Sequence, residues 1–165
     1  MQLPDLEIKT IDLNDTASVA QILALQKIAY SYEAEIIGYT NIPRLFDTKQ
    51  TIRKTDEQFS GLYLGNNLVA LISTTHSDQV LEICRLVVHP QHTGKKYATK
   101  LLVHIEYSQP HAERIVVSTA EKNYPALALY KKNGYEQIGK RVTNDVLTLV
   151  TLEKIPSERA TIYLR

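Results

Sequence analysis

With a single cysteine, Cys84, in 165 residues, the chain has no intrachain disulfide available, and a reducing, cytoplasmic setting is expected. No stretch approaches the ~18 uninterrupted apolar residues that a membrane span requires, and the opening segment MQLPDLEIKT lacks the apolar run of a signal peptide. Neither sign of charge is in surplus: 19 Lys and Arg stand against 18 Asp and Glu, a net +1. That balance excludes the basic footprint of a general nucleic-acid or membrane-surface binder. Repeats, low-complexity tracts and linkers are missing as well. What is present is 44% apolar and 22% charged residues, a globular composition. One domain spanning 1–165 is the simplest organisation, and a chain of this size buries ~70% of its unfolded surface.

Along the chain, Leu6 to Ile11 alternates apolar and polar residues as a half-buried strand does. Asp15 or Thr16 can cap a long helix carrying Val19, Ile22, Leu23, Ile28 and Ala29 on one stripe. Gly38 and Pro43 bracket a break, and a second, more polar helix is expected through Leu45, Phe46 and Ile52. Phe59–Leu64 and Leu68–Thr74 read as strands joined by Gly65-Asn66-Asn67, and Ser77-Asp78 turns the chain into a third strand, Val80–Val88. A helix from about Lys95 to Tyr107 follows, then a buried strand at Arg114–Ser118 lying parallel to the third. A short helix, Tyr124–Asn133, has Pro125 in its first turn and Gly134 at its end. Tyr135–Val142 and Asp145–Leu152 form a closing hairpin around Thr143-Asn144, and Glu158–Arg165 has no assignment.

The stretch VVHPQHTGKKYATKLL, Val87 to Leu102, organises the rest. A β-branched strand stops at Pro90, which offers no ladder N–H. After Gly94 the pattern changes to helical spacing through Tyr97, Leu101, Leu102 and Ile105. The first helical amides have no partner inside the helix and carry the positive dipole end, and Lys95 and Lys96 stand beside them; together they suit a phosphate-bearing cofactor. On spacing alone, a basic loop that merely caps a helix stands beside that reading.

Two segments carry a resemblance. NYPALALYKKNGY, from Asn123, fits N-x-x-A-x-x-L-Y-x-x-x-G-[FY] at every fixed position, and EICRLVVHPQHTGKKYATKLL, from Glu82, precedes it. With the order of elements, they resemble the GNAT superfamily of N-acetyltransferases. The resemblance implies an α/β (α+β) fold: a mixed, largely antiparallel sheet of about seven strands with flanking helices, open as a V between strands four and five. It implies acetyl-CoA in that V, its pantetheine along Leu86, Val87 and Val88, and its pyrophosphate on Thr93, Gly94, Lys95, Lys96, Tyr97, Ala98 and Thr99. The family pattern [QR]-x-x-G-x-[GA] is met only in part, since Thr93 stands for Arg or Gln and Lys96 for glycine. Lys96 either crowds the phosphates or supplies a charge-assisted hydrogen bond.

The resemblance also assigns roles. Tyr130 faces the cofactor sulfur; with a phenol pKa of about 10 against about 8.5 for a thiol, complete proton transfer is uphill by roughly 2 kcal/mol, so hydrogen-bond donation comes first. Glu82 aligns with a strand glutamate that serves as general base in the histone-acetylating members, where partial burial in the V would raise its pKa; the ordinary alternative is a sheet-surface carboxylate. Asn123 lies near the pantetheine and caps a helix. Tyr39, Asn41 and Ile42 hold the usual substrate-lid position. His89 and His92 fall short of a ligand set, and no metal is expected. The acceptor is a small-molecule or peptide amine, and pairing of two copies through C-terminal strands is common in the family. Thr93 and Lys96 also motivate an alternative, a non-catalytic acyl-CoA-binding or regulatory module.

Overall fold

The computed structural model describes residues 5–143 and 147–156. Seven strands form one sheet in the order β1-β2-β3-β4-β5-β7-β6. They are β1 (Leu6–Thr10), β2 (Gln58–Leu64), β3 (Asn67–Ser77), β4 (Val80–Val88), β5 (Arg114–Ala120), β6 (Glu136–Val142) and β7 (Thr148–Lys154). Neighbours run antiparallel except β4 and β5, which are parallel because α3 (Tyr97–Ser108) carries the chain back between them. Asp15 caps α1 (Thr16–Ile37) by accepting from the Ser18 amide at 3.2 Å. The β3–β4 connection places Asp78 and Gln79 at φ 48° and 66°, as a type I′ turn requires of both central residues.

The sheet separates two cores. On one face, Leu101, Leu102 and Ile105 of α3 pack against Ile72, Leu81, Ile83, Ile115 and Val117. On the other, Val19, Ile22, Leu25 and Ala29 of α1 pack against Phe59, Leu71 and Val87. β4 changes faces partway along. Ser73 pairs with Arg85 and the next residue, Thr74, pairs with Ile83, so Cys84 is an extra residue, a β-bulge. Leu81 and Ile83 therefore join the α3 core, whereas Val87 joins the α1 core.

The V lies directly beyond this bulge. β4 and β5 pair over four positions, from Val80↔Arg114 to Ile83↔Val117. Past that point Arg85 to Val88 pair only with β3, and Ser118 to Ala120 only with β7. The expected mixed sheet, opened between its fourth and fifth strands, is present.

Several boundaries differ from the sequence reading. The second helix is two pieces, a 3-10 turn at Pro43–Phe46 and α2 (Lys49–Lys54), because Thr48 and Thr51 cap a fresh start with a reciprocal capping box. α3 begins at Tyr97 rather than Lys95, since Lys96 has a left-handed backbone. β3 runs on to Ser77 and β5 to Ala120. Ile28 is exposed, and the buried side of α1 runs instead through Leu25, Gln26, Ala29 and Tyr30. Asn144 to Val146, at the expected tip of the closing hairpin, and Glu158–Arg165 lie outside the described residues.

Candidate active site

Between the parted strands is a cleft of about 730 Å³. Its walls are β4 from Ile83 to Val88, β5 from Val117 to Ala120, and α4 (Tyr124–Lys132), with α1 and the segment after it closing the far side. Leu86, Val87 and Val88 line it, as do Tyr39, Asn41, Ile42, Asn123 and Tyr130. The long break after α1 thus does fold against the cleft.

The basic loop forms one end. A 3-10 turn at Pro90–His92 is held by the Gln91 amide donating to His89 Nδ1 at 3.1 Å, and Thr93 Oγ1 donates to the Pro90 carbonyl at 3.1 Å. Gly94 has φ 79° and Lys96, at the N-cap of α3, has φ 64°. Lys96 occupies the position where the family pattern carries glycine, and the backbone there has the conformation that favours glycine. No side chain caps α3, whereas Asp15, Thr48 and Asn123 cap the other three helices. Its opening amides are therefore free of protein acceptors among the described residues and suit an anion. Thr93 and Ala98 line the cleft. Gly94, Lys95 and Lys96 are exposed beside it, with Lys95 Nζ 3.1 Å from His92 Nδ1. The Tyr97 ring turns into the core and stacks on His92 at 6.0 Å; Thr99 Oγ1 lies 3.5 Å from Asn133 Nδ2. Neither side chain lines the cleft.

Tyr130 projects from α4 into the cleft and is 4% exposed. Its ring meets Tyr135 edge-on at 5.6 Å. Burial first, then the neighbouring Tyr30 and Glu33, push its phenol above the ordinary range. Glu33, on α1, faces the same space. Burial raises its carboxyl, opposed by a hydrogen bond from Asn123, whose Nδ2 donates to Glu33 Oε1 at 2.5 Å. Asn123 Oδ1 also accepts from the Ala126 amide at 3.3 Å, so one side chain both caps α4 and orients the carboxylate.

Arg85, just past the bulge, is 2% exposed. Its Nη1 donates to Asp47 Oδ2 at 2.6 Å and Gln26 Oε1 at 2.9 Å, and its Nε and Nη2 donate to the two Glu57 oxygens at 2.9 and 3.1 Å. Ser73 Oγ adds a 2.6 Å bond to Glu57, and Gln26 Nε2 donates to Asp47 Oδ2 at 2.7 Å and to the Arg44 carbonyl at 3.0 Å. One guanidinium thus ties β4 to α1, to the chain before β2 and to the segment carrying Ile42 and Arg44.

Glu82 is not part of this arrangement. It is exposed and outside the cleft lining; where it lies the ladder is still closed, with Glu82 opposite Val116 and Thr75. The expected burial in the V is corrected accordingly. Sequence reasoning passed over Glu33 and Arg85. A signal existed for each: Glu33 is spaced four residues from the buried Ala29 and from Ile37, a charge on an apolar stripe. Arg85 interrupts an otherwise apolar run, ICRLVV.

The pattern of the Acetyltransferase (GNAT) family matches residues 19–135. The UPF0157 protein YqkA of Bacillus subtilis (strain 168) is 33% identical over 157 residues, covering 95% of this chain and 46% of that protein. The chain thus spans about half the length of this curated relative. The ribosomal-protein-S18-alanine N-acetyltransferase of Escherichia coli superposes with a TM-score of 0.74 at 14% identity, covering 93% of this chain and 95% of that one. The PaiA N-acetyltransferase of Thermoplasma acidophilum, solved in complex with coenzyme A, gives 0.73 at 16% identity, covering 92% and 99%. At these identities the structural likeness is one of fold. The family pattern, however, runs from the first turn of α1 to Tyr135 and takes in both motifs and the strands that part around the cleft: the chain belongs to the Acetyltransferase (GNAT) family.

Proposed function

We propose that this chain is an acetyl-CoA-dependent N-acetyltransferase in which a primary amine attacks the thioester directly. The observation that carries this reading is the parting of β4 and β5 after Ile83 and Val117, which leaves one edge of β4 without a ladder partner along the cleft. An extended, amide-bearing pantetheine complements such an edge as an added strand does. The uncapped amides of α3 take the pyrophosphate, and a backbone N–H near Val88 polarises the thioester carbonyl. Tyr130 donates a hydrogen bond to the sulfur as charge develops there. The coenzyme A complex of one fold neighbour supports the choice of ligand.

Titration calorimetry with acetyl-CoA, followed by an assay of released thiol on an amine panel, tests this. Binding with turnover is the expected result; absence of acetyl-CoA binding overturns it. Tight binding with no turnover on any amine would favour the regulatory module suggested by Thr93 and Lys96.

Lys96 yields a separate prediction. Its φ of 64° costs a non-glycine residue about 1 kcal/mol. Lys96→Gly is therefore expected to raise Tm by about 2–4 °C. The same change removes an ammonium beside the phosphates, so acetyl-CoA binding weakens by about 3–10-fold at low salt, and the gap closes as salt rises. Calorimetry at two ionic strengths reads both parts.

A further inference from the structure

Charged groups are scarce in the cleft. Among the described residues that line it, they are Glu33, Arg44 and Arg85. Arg85 is spent on Asp47 and Glu57, so those carboxylates are not offered to a ligand. The nearest carboxylate oxygen to Arg44, on Glu57, is 4.0 Å away. Glu33 is thus the one anion presented to the cleft by these residues, and only one of its oxygens is held, by Asn123. Tyr30, Ile36, Ile37, Tyr39 and Ile42 line the cleft around it.

Resting on the acetyltransferase reading above, we infer that Glu33, set by Asn123, anchors the acceptor's ammonium and takes its proton, and that the acceptor is a primary amine with a single positive charge on an apolar body. Among the described residues a second ammonium finds no second carboxylate in the cleft lining and meets Arg44 instead, which disfavours polycations. An alkylammonium, with a pKa of about 10.4, is almost wholly protonated at pH 7, so a proton acceptor at this point matters. Among the described residues, the groups facing Glu33 are Tyr30 on its own helix, Tyr130 from α4 and Asn123 before α4. The two phenols stay neutral over the working range, since burial pushes both up, and Glu33 is left as the group that titrates.

The step balances as follows. The ammonium gives one proton to the Glu33 carboxylate, and the neutral amine nitrogen forms a bond to the acetyl carbon. The carbon–sulfur bond breaks with its electron pair going to sulfur. The second proton on nitrogen leaves to the thiolate, giving amide and free thiol, and Glu33 releases its proton to solvent. Asn123 is a positioning residue here: its hydrogen bond favours the ionised carboxylate.

The test uses 2-phenylethylamine and spermidine with the wild type, Glu33→Gln and Asn123→Ala, with acetyl-CoA binding measured in parallel. The wild type is expected to prefer 2-phenylethylamine by at least about 10-fold in kcat/KM. Glu33→Gln is expected to lose about 10²–10³-fold in kcat/KM while acetyl-CoA Kd stays within threefold. Because its folded pKa is raised, the Glu33 carboxylate opposes folding above its unfolded pKa, and that opposition fades as pH falls and it protonates. Glu33→Gln is therefore expected to raise Tm at neutral pH by about 1–3 °C, which a purely structural role would not do. In Asn123→Ala the acid limb of kcat/KM moves to higher pH. Preference for spermidine, activity of Glu33→Gln within threefold of wild type, or acetylation of neither amine while acetyl-CoA binds would each overturn the inference and leave the acetyltransferase reading standing. Failure of the wild type to bind acetyl-CoA overturns both.

Discussion

Replacing Arg85 by methionine is expected to destabilise the fold by about 3–5 kcal/mol, a Tm fall of roughly 6–20 °C in a chain of this size. The volume change is small; the cost comes from Asp47 and Glu57, left in a half-buried site without their cation. Both carboxyls are now held below the ordinary range. Burial alone would raise them, but hydrogen bonds from Gln26 and Arg85 to Asp47, and from Arg85 and Ser73 to Glu57, outweigh it. The sign follows from the depressed pKa values: the stabilisation is complete above the unfolded carboxylate pKa of about 4 and is lost as pH falls through the lower folded values. Acid titration of Tm in the wild type should therefore show a steep loss below about pH 4, and Arg85→Met should show a shallower one. Adding Asp47→Asn and Glu57→Gln to Arg85→Met should recover part of the lost Tm, because the uncompensated charges then disappear. An Arg85→Met protein as stable as the wild type would refute the account.

Tyr130→Phe is expected to lower kcat by about 10²-fold, some 2.7 kcal/mol of transition-state stabilisation, with acetyl-CoA Kd within threefold of wild type. The ring stays, so packing against Tyr135 is kept; only the hydroxyl that the proposed mechanism sets against the departing sulfur is lost. Burial has pushed this phenol up, which makes full proton transfer to a thiolate more uphill than for an ordinary tyrosine. In the proposed mechanism it is a fixed donor, and its raised phenol stays protonated over the accessible range. The kcat profile should accordingly show no alkaline limb attributable to this group. An unchanged kcat in Tyr130→Phe, measured where chemistry limits the rate, would remove Tyr130 from the mechanism.

The fold was readable because its signals are local. Capping at Asp15, Pro125 at the start of α4 and period-two alternation in β1 each act within a few residues, and the two family motifs supply the remainder. The β4-and-loop side of the cleft was readable for the same reason, since Val87 to Thr99 is continuous in sequence. The opposite side of the cleft is assembled from distant pieces. Asn123 and Glu33 meet across 90 positions, and Arg85 gathers partners from residues 26, 47 and 57; no periodicity encodes such meetings. Glu82 was drawn in because its alignment fits, but position along a strand does not say where a ladder ends. The ladder stays closed at Glu82 and opens only after Ile83.

That opening is a matter of counting. A nine-residue β4 carries one residue more than its partner can match, and the surplus falls directly after the last rung shared with β5. In a strand one residue shorter at that place, the side chains on either side would keep their orientations, the bend would vanish, and the neighbouring strands would be free to zip along their length. Such a chain would still fold around both cores while having no room for a guest. The place where the cleft opens thus coincides with a change of parity in one strand, at a position that the thiol of Cys84 happens to fill.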